Sequence, residues 1–133
     1  MAETGDIKIG VTGAAGKMGS TLIRQVCETP GFRLVAASEA AGHSALGRDA
    51  GELAGLAALD VPVDQDSDAL FAVSDAVLDF TLPGATEGHS ASAARHGTAL
   101  IIGTTGLEAE QQSALEKAGQ KAAIVQAPNM SLC

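Results

Sequence analysis

The chain has no tryptophan and no tyrosine, and three phenylalanines are its only aromatic residues. Its core must therefore be assembled from Val, Ile, Leu and many Ala, small residues that let helices lie close to a sheet. Cysteine is almost as scarce. Cys27 and Cys133 cannot make a disulfide framework, and nothing in them suggests an oxidising compartment. Cys27 falls in an apolar helical stretch and is expected to be buried; Cys133, the last residue, is expected at the surface. The three histidines, His43, His89 and His96, have no metal-ligand spacing with either cysteine, so no metal site is expected. His89 and His96 are expected on helix surfaces. Positive charge is also short: 8 Lys plus Arg face 16 Asp plus Glu, a net charge of −8. That balance argues against non-specific binding to nucleic acid or to an anionic membrane. No apolar run approaches the ~20 residues of a membrane span, and no basic-then-apolar secretory signal opens the chain. Neither a nucleic acid nor a membrane is an expected partner, and the expected location is cytoplasmic.

What is present fits one globular domain. The 133 residues are 46% apolar and 18% charged, which excludes bulk disorder. The pattern predicts a strand at Ile7 to Thr12, a helix at Lys17 to Glu28 with Met18, Leu22, Ile23 and Val26 at helical spacing, and a strand at Phe32 to Ser38. Ala40 to Asp60 has no clear periodicity and reads as a loop with a short helix. A helix follows over Asp66 to Val73, with Asp66 or Ser67 as N-cap. Then come a strand (Ala76 to Phe80), a helix closed by Gly97 (Thr86 to His96), a strand (Ala99 to Ile102), a helix (Glu108 to Gln120) and a strand (Ala122 to Gln126). Short apolar strands alternating with helices predict an α/β fold: a doubly wound parallel sheet with helices on both faces.

The most specific motif is Gly13-Ala14-Ala15-Gly16-Lys17-Met18-Gly19, placed between the first strand and the first helix. This G-x-x-G-x-x-G spacing is a variant of the dinucleotide fingerprint. One glycine makes the tight turn, one lets backbone approach a pyrophosphate, and one lets the helix pack on the strand. The free N–H groups at that helix end then hold the anion. An acidic residue about 20 positions on should meet the ribose hydroxyls. Glu39 stands there, directly after the second strand. A carboxylate at this place favours NAD, because it repels a 2′-phosphate that an adjacent Arg would invite. The neighbour here is Ala40. Lys17 either supplies a positive charge near that phosphate or is a plain exposed helix lysine. Further turns at strand ends, Asp79 to Pro83, Gly103-Thr104-Thr105-Gly106 and Ala127-Pro128-Asn129-Met130-Ser131, fall where such a sheet binds its ligand.

Together, Val11–Gly19 (VTGAAGKMG), Asp79–Pro83 (DFTLP), Ile101–Gly106 (IIGTTG) and Ala127–Ser131 (APNMS), with Ala50–Gly55 (AGELAG), resemble the 4-hydroxy-tetrahydrodipicolinate reductase family. The resemblance runs along the whole chain and implies a Rossmann-like domain with NADH and/or NADPH as cofactor. It implies nucleotide contacts at Gly13, Ala14, Ala15, Gly16, Lys17, Met18, Glu39, Gly103, Thr104, Thr105, Ala127, Pro128, Asn129 and Met130. It implies a parent enzyme, a homotetramer, that transfers hydride to a cyclic amino dicarboxylate in diaminopimelate and lysine biosynthesis. Family members often carry Arg after the acidic residue, where this chain has Ala40. Family chains are about twice as long, and their second half supplies the substrate and tetramer-forming domain with a His-His…Lys motif. Residues 1–133 therefore look like the nucleotide-binding domain alone, with no catalytic residue among them and little or no turnover expected by themselves. Without the elements that normally complete the sheet, self-association or reduced stability is expected. The alternatives are another Rossmann amino-acid dehydrogenase, which should lack the GTTG and APNMS segments, and a free-standing nucleotide-sensing module.

Overall fold

The structure, a computed structural model, describes residues 7–79, 86–103 and 109–126. Strands and helices alternate along them: β1 (Ile7–Thr12), α1 (Lys17–Glu28), β2 (Phe32–Ser38), α2 (Ala50–Leu53), β3 (Val63–Asp64), α3 (Ser67–Val73), β4 (Ala76–Asp79), α4 (Thr86–His96), β5 (Ala99–Ile102), α5 (Ala109–Ala118) and β6 (Ile124–Gln126). The strands form one sheet in the order β3-β2-β1-β4-β5-β6, and every neighbouring pair is parallel. The order reverses direction between β1 and β4, the crevice where doubly wound sheets bind ligands. The expected Rossmann-like fold is the one observed.

Two apolar clusters cover the two faces of the sheet. On one, Ile9 and Val11 of β1 meet Leu22, Ile23 and Val26 of α1, with Ala50 and Ala54 from the α2 region. On the other, Val77 of β4 and Leu100 and Ile102 of β5 meet Leu70 and Phe71 of α3, Ala93 of α4 and Leu115 of α5. Side chains alternate across a strand, and β4 feeds both layers, Ala76 and Leu78 the first and Val77 the second. Among the described residues Phe71 is the largest fully buried side chain, and the apolar residues packed with it are aliphatic.

The glycine-dotted stretch after β2 is organised by one carboxylate. Asp49 caps α2 by accepting from Glu52 N–H at 3.0 Å, and its oxygens also accept from Leu59 N–H (3.0 Å) and Val61 N–H (2.9 Å). These bonds, that from Leu59 first, hold its carboxyl below the usual carboxylate range. Asp66 is the N-cap of α3, accepting from Ala69 N–H at 3.1 Å.

Two expectations change here. The sequence reading passed from β2 to α3 without a strand between them. Val63–Asp64 forms β3 through its pairing with Ala37 and Ser38, a tertiary contact that two residues cannot announce by periodicity. Cys27, expected to be buried, is exposed, as is Met18, one of the expected nucleotide contacts. The buried stripe of α1 is Gly19, Leu22, Ile23 and Val26, and at 100° per residue Met18 and Cys27 lie about 90° to either side of its centre.

Candidate functional site

The sheet register puts the expected site segments side by side. Thr12 is level with Ser38 on one side and Asp79 on the other. Asp79 is level with Ile102, and Ile102 with Gln126. One row thus crosses the carboxyl ends of five strands. Past this row the chain enters the expected site at three strands: Gly13 after β1, Glu39 after β2 and Gly103 after β5. Thr104, Thr105, Ala127, Pro128, Asn129 and Met130 lie outside the described residues, as does the segment after Asp79.

The turn after β1 is built by glycine. Gly13 has φ +66°, the left-handed region that side chains disfavour. It turns the chain so that Ala14 N–H reaches Ser38 O at 3.1 Å, tying the turn to the end of β2. Gly19 has no room for a side chain, since a Cβ there would stand 2.1 Å from Gly13 O. Helix α1 can therefore start directly against the turn. Its N-cap is Gly16, and no side chain caps it. A Cβ on Gly16 would meet only Gly13 O, at 3.6 Å, so the helix end is approachable from outside. An uncapped helix N-terminus in this setting suits a pyrophosphate. Lys17 and Met18 are exposed on its first turn.

Glu39 closes the same end of the sheet. Its backbone N–H donates to Asp64 O at 3.0 Å. Its half-buried carboxylate accepts from Ala15 N–H at 2.9 Å through Oε2 and from Ala40 N–H at 3.1 Å through Oε1. The acidic residue and the glycine turn, 24 positions apart, are in direct contact. A carboxylate only accepts, and the hydroxyls of a ribose are donors of the matching kind.

At the switch point a second carboxylate is buried. Asp79 is fully enclosed, and it accepts from Thr12 Oγ1 at 2.9 Å and from His89 Nδ1 at 2.6 Å. Its backbone carbonyl accepts from Gly103 N–H at 2.9 Å. One residue thus joins the ends of β1, β4 and β5 to α4. His89 was expected at the helix surface. It is buried because the α4 face carrying Ser92 and Ala93 packs inward, and its ring also lies 5.8 Å from that of Phe71. His96 is at the surface as expected, with Nε2 3.1 Å from Asp68 Oδ2. Asp68 also takes Arg95 and Ser92 and so staples α3 to α4, and these partners, His96 first, lower its pKa. The sequence reading placed Asp79 in a strand and in the Asp79–Pro83 segment of the resemblance but gave its side chain no role. An acid closing an otherwise apolar strand was the available signal for a buried, partnered carboxylate.

The described residues contain no cluster of His, Cys, Asp or Glu able to hold a metal ion, and no helix among them is long and apolar enough to cross a membrane. A cavity of about 570 Å³ lined by Cys27, Phe32, Leu34, Leu59 and Val61 opens toward the amino end of β2, away from the row.

Comparison with known proteins converges on one family. The family model for the N-terminus of dihydrodipicolinate reductase matches residues 7–130. The 4-hydroxy-tetrahydrodipicolinate reductase of Ruegeria pomeroyi is 50% identical over 122 residues, 92% of this chain and 45% of the relative. That of Halorhodospira halophila is 46% identical over 123 residues, 92% of this chain and 46% of the relative. The structure of a dipicolinate-bound dihydrodipicolinate reductase from Paenisporosarcina sp. TG-14 superposes with a TM-score of 0.73 at 27% identity, over 93% of this chain and 48% of the other. An amine dehydrogenase from Mycobacterium smegmatis, 19% identical with a TM-score of 0.76 over 95% of this chain and 40% of the other, shares the fold. The chain spans about half the length of the curated relatives it matches.

Proposed function

The chain belongs to the family of the dihydrodipicolinate reductase N-terminus, and from that premise we propose that it binds a nicotinamide dinucleotide along the carboxyl ends of its strands, as the cofactor domain of a reductase acting on a cyclic amino dicarboxylate. The observation that carries this reading is the contact between the two halves of the fingerprint: Ala15 of the glycine turn donates to Glu39 at 2.9 Å. The two groups needed for the adenosine side stand in one piece of structure.

The fit is chemical as well as topological. The uncapped start of α1 offers backbone donors to the pyrophosphate. Glu39 offers acceptors to the ribose hydroxyls. Gly13, Ala14, Ala15, Gly16, Lys17 and Met18 form the turn and first helical residues around the phosphates, and Gly103 stands across the switch point, directly after β5. When bound, the cofactor supplies the hydride. The chain's own work is positional: Asp79 locks β1, β4, β5 and α4 together through Thr12, Gly103 and His89, so the floor of the crevice keeps one shape. Near-contact placement of donor and acceptor carbons is where such an enzyme gains rate. The segments 104–105 and 127–130 complete the nucleotide contacts in this reading. In this reading the substrate, a small-molecule dicarboxylate, is held by groups of the homotetrameric enzyme outside this nucleotide crevice.

Fluorescence of a reduced nicotinamide, followed as the purified 133-residue chain is added, tests the proposal. The chain has no Trp or Tyr to add background. Saturable enhancement that is lost in Gly19→Ala supports it; no binding by a chain that melts cooperatively sinks it.

A further inference from the structure

We propose that His89 is a positioning residue of the nucleotide site: acting through Asp79, it sets the nicotinamide half of the crevice and leaves the adenosine half alone. The inference rests on the nucleotide site proposed above and names a residue that no part of the fingerprint contains.

The pair stands where stability alone gives no reason for it. Burial alternates along β4, and Asp79 shares its face with Val77, which belongs to the cluster of Phe71, Ala93, Leu100 and Ile102. An aliphatic side chain at that position would fill the space without the desolvation that a carboxylate brings. Buried ion pairs are often no more stabilising than the apolar residues that could replace them. What the pair adds is direction. Asp79 Oδ1 accepts from Thr12 Oγ1 at 2.9 Å and Oδ2 from His89 Nδ1 at 2.6 Å, while its backbone carbonyl accepts from Gly103 N–H at 2.9 Å. A carboxylate only accepts, so Nδ1 is the nitrogen that carries the proton.

Helix α4 takes its seat at the crevice from this contact. In a parallel crossover the helix begins at the carboxyl end of the strand it follows, and helical side chains lean back toward the helix start. His89, the fourth residue of α4, thus brings its ring to the row of strand ends. Among the described residues, Ala93 is the one buried apolar side chain that α4 adds to the core, and the polar ties from Ser92, Arg95 and His96 all run to Asp68 on α3. An alanine contact sets a spacing but grips little. His89 fixes where α4 stands along β4, and Asp79 carries that position to Gly103. The adenosine half is tied without them: Ala14 N–H to Ser38 O, Ala15 N–H to Glu39 Oε2, and Glu39 N–H to Asp64 O. Thr12, at the join, keeps its strand pairing with β2 and β4 whatever α4 does. A dinucleotide lays one half on each side of the switch point, so losing His89 loosens one half only.

Calorimetric titration of the 133-residue chain with NADH and with ADP, repeated for His89→Leu and His89→Asn, decides it. ADP keeps the adenosine and both phosphates and lacks the nicotinamide half. His89→Leu should weaken NADH about tenfold and change ADP by less than about twofold. His89→Asn, whose amide can donate to Asp79 from near the place of Nδ1, should restore most of the NADH affinity. A thermal melt shows that each variant is folded; if the leucine variant does not melt cooperatively, His89→Gln, whose amide lies one bond further out, takes its place with the same expectation. Equal weakening of both ligands in a folded variant makes His89 merely structural and overturns the proposal. Unchanged NADH binding, or a loss that asparagine does not restore, overturns it as well, with the nucleotide site left standing. Binding of neither ligand by the folded native chain overturns the site and the role of His89 together.

Discussion

His89 Nδ1 lies 2.6 Å from Asp79 Oδ2, and both side chains are enclosed at the point where the sheet order reverses. The pair holds the α4 layer to the strand ends that form the crevice. A buried carboxylate stripped of a partner retains its desolvation cost. Replacing His89 by Ala should therefore cost about 1.5–3 kcal/mol, the range for hydrogen bonds to charged groups. Urea unfolding of the variant at neutral pH checks it; a loss below 0.5 kcal/mol would mean that the pair contributes little.

Gly19→Ala should disrupt the turn rather than merely stiffen the helix. The new Cβ would face Gly13 O at 2.1 Å, so backbone must move by more than an ångström. Gly16→Ala, with 3.6 Å of clearance, leaves the fold intact. The expected order of melting temperatures is Gly16→Ala near the native chain and Gly19→Ala clearly below it. The reverse order would contradict the packing described here.

Asp49 makes the chain acid-sensitive in a predictable direction. Its folded pKa is lowered by bonds from Leu59, Val61 and Glu52 amides, so its stabilising contribution is present above the unfolded pKa near 4 and is lost as pH falls through the folded value. Asp68, lowered chiefly by His96, acts in the same sense. Stability measured between pH 6 and pH 3 should fall more steeply for the native chain than for Asp49→Asn. Parallel curves would show that Asp49 has the same pKa in both states.

Much of this was legible in the sequence. The bounds of β1, α1, β2, α4 and β5 follow from hydrophobic period and from glycine or proline stops, and Asp66 from its capping position. The row of site segments was legible because a parallel sheet delivers every strand's carboxyl end to one edge. What escaped depends on partners distant in sequence. β3 exists through β2, and His89 is buried through Asp79 and Phe71. Glu39 was identified as a ribose acceptor, but its bond to Ala15 depends on how β2 and the turn meet. Cys27 was misplaced for a local reason: it sits at the margin of the α1 stripe, where spacing alone does not decide.

The edge strand β6 leaves Val125 half exposed, and open strand edges invite pairing between chains. The 133-residue chain should self-associate as its concentration rises, and Val125→Lys should reduce this. Sedimentation velocity over a hundredfold concentration range checks it; a native chain that stays monomeric throughout would contradict it.

The most direct test of the nucleotide site is a map of backbone amide shifts in the labelled 133-residue chain as NADH is added. The account predicts that the largest changes fall on Ala14, Ala15, Gly16, Lys17, Met18, Glu39, Ala40 and Gly103, with Cys27, Phe32 and Leu59 at the other end of the sheet unmoved. Shifts centred on that far end, or none at all in a folded chain, would contradict it.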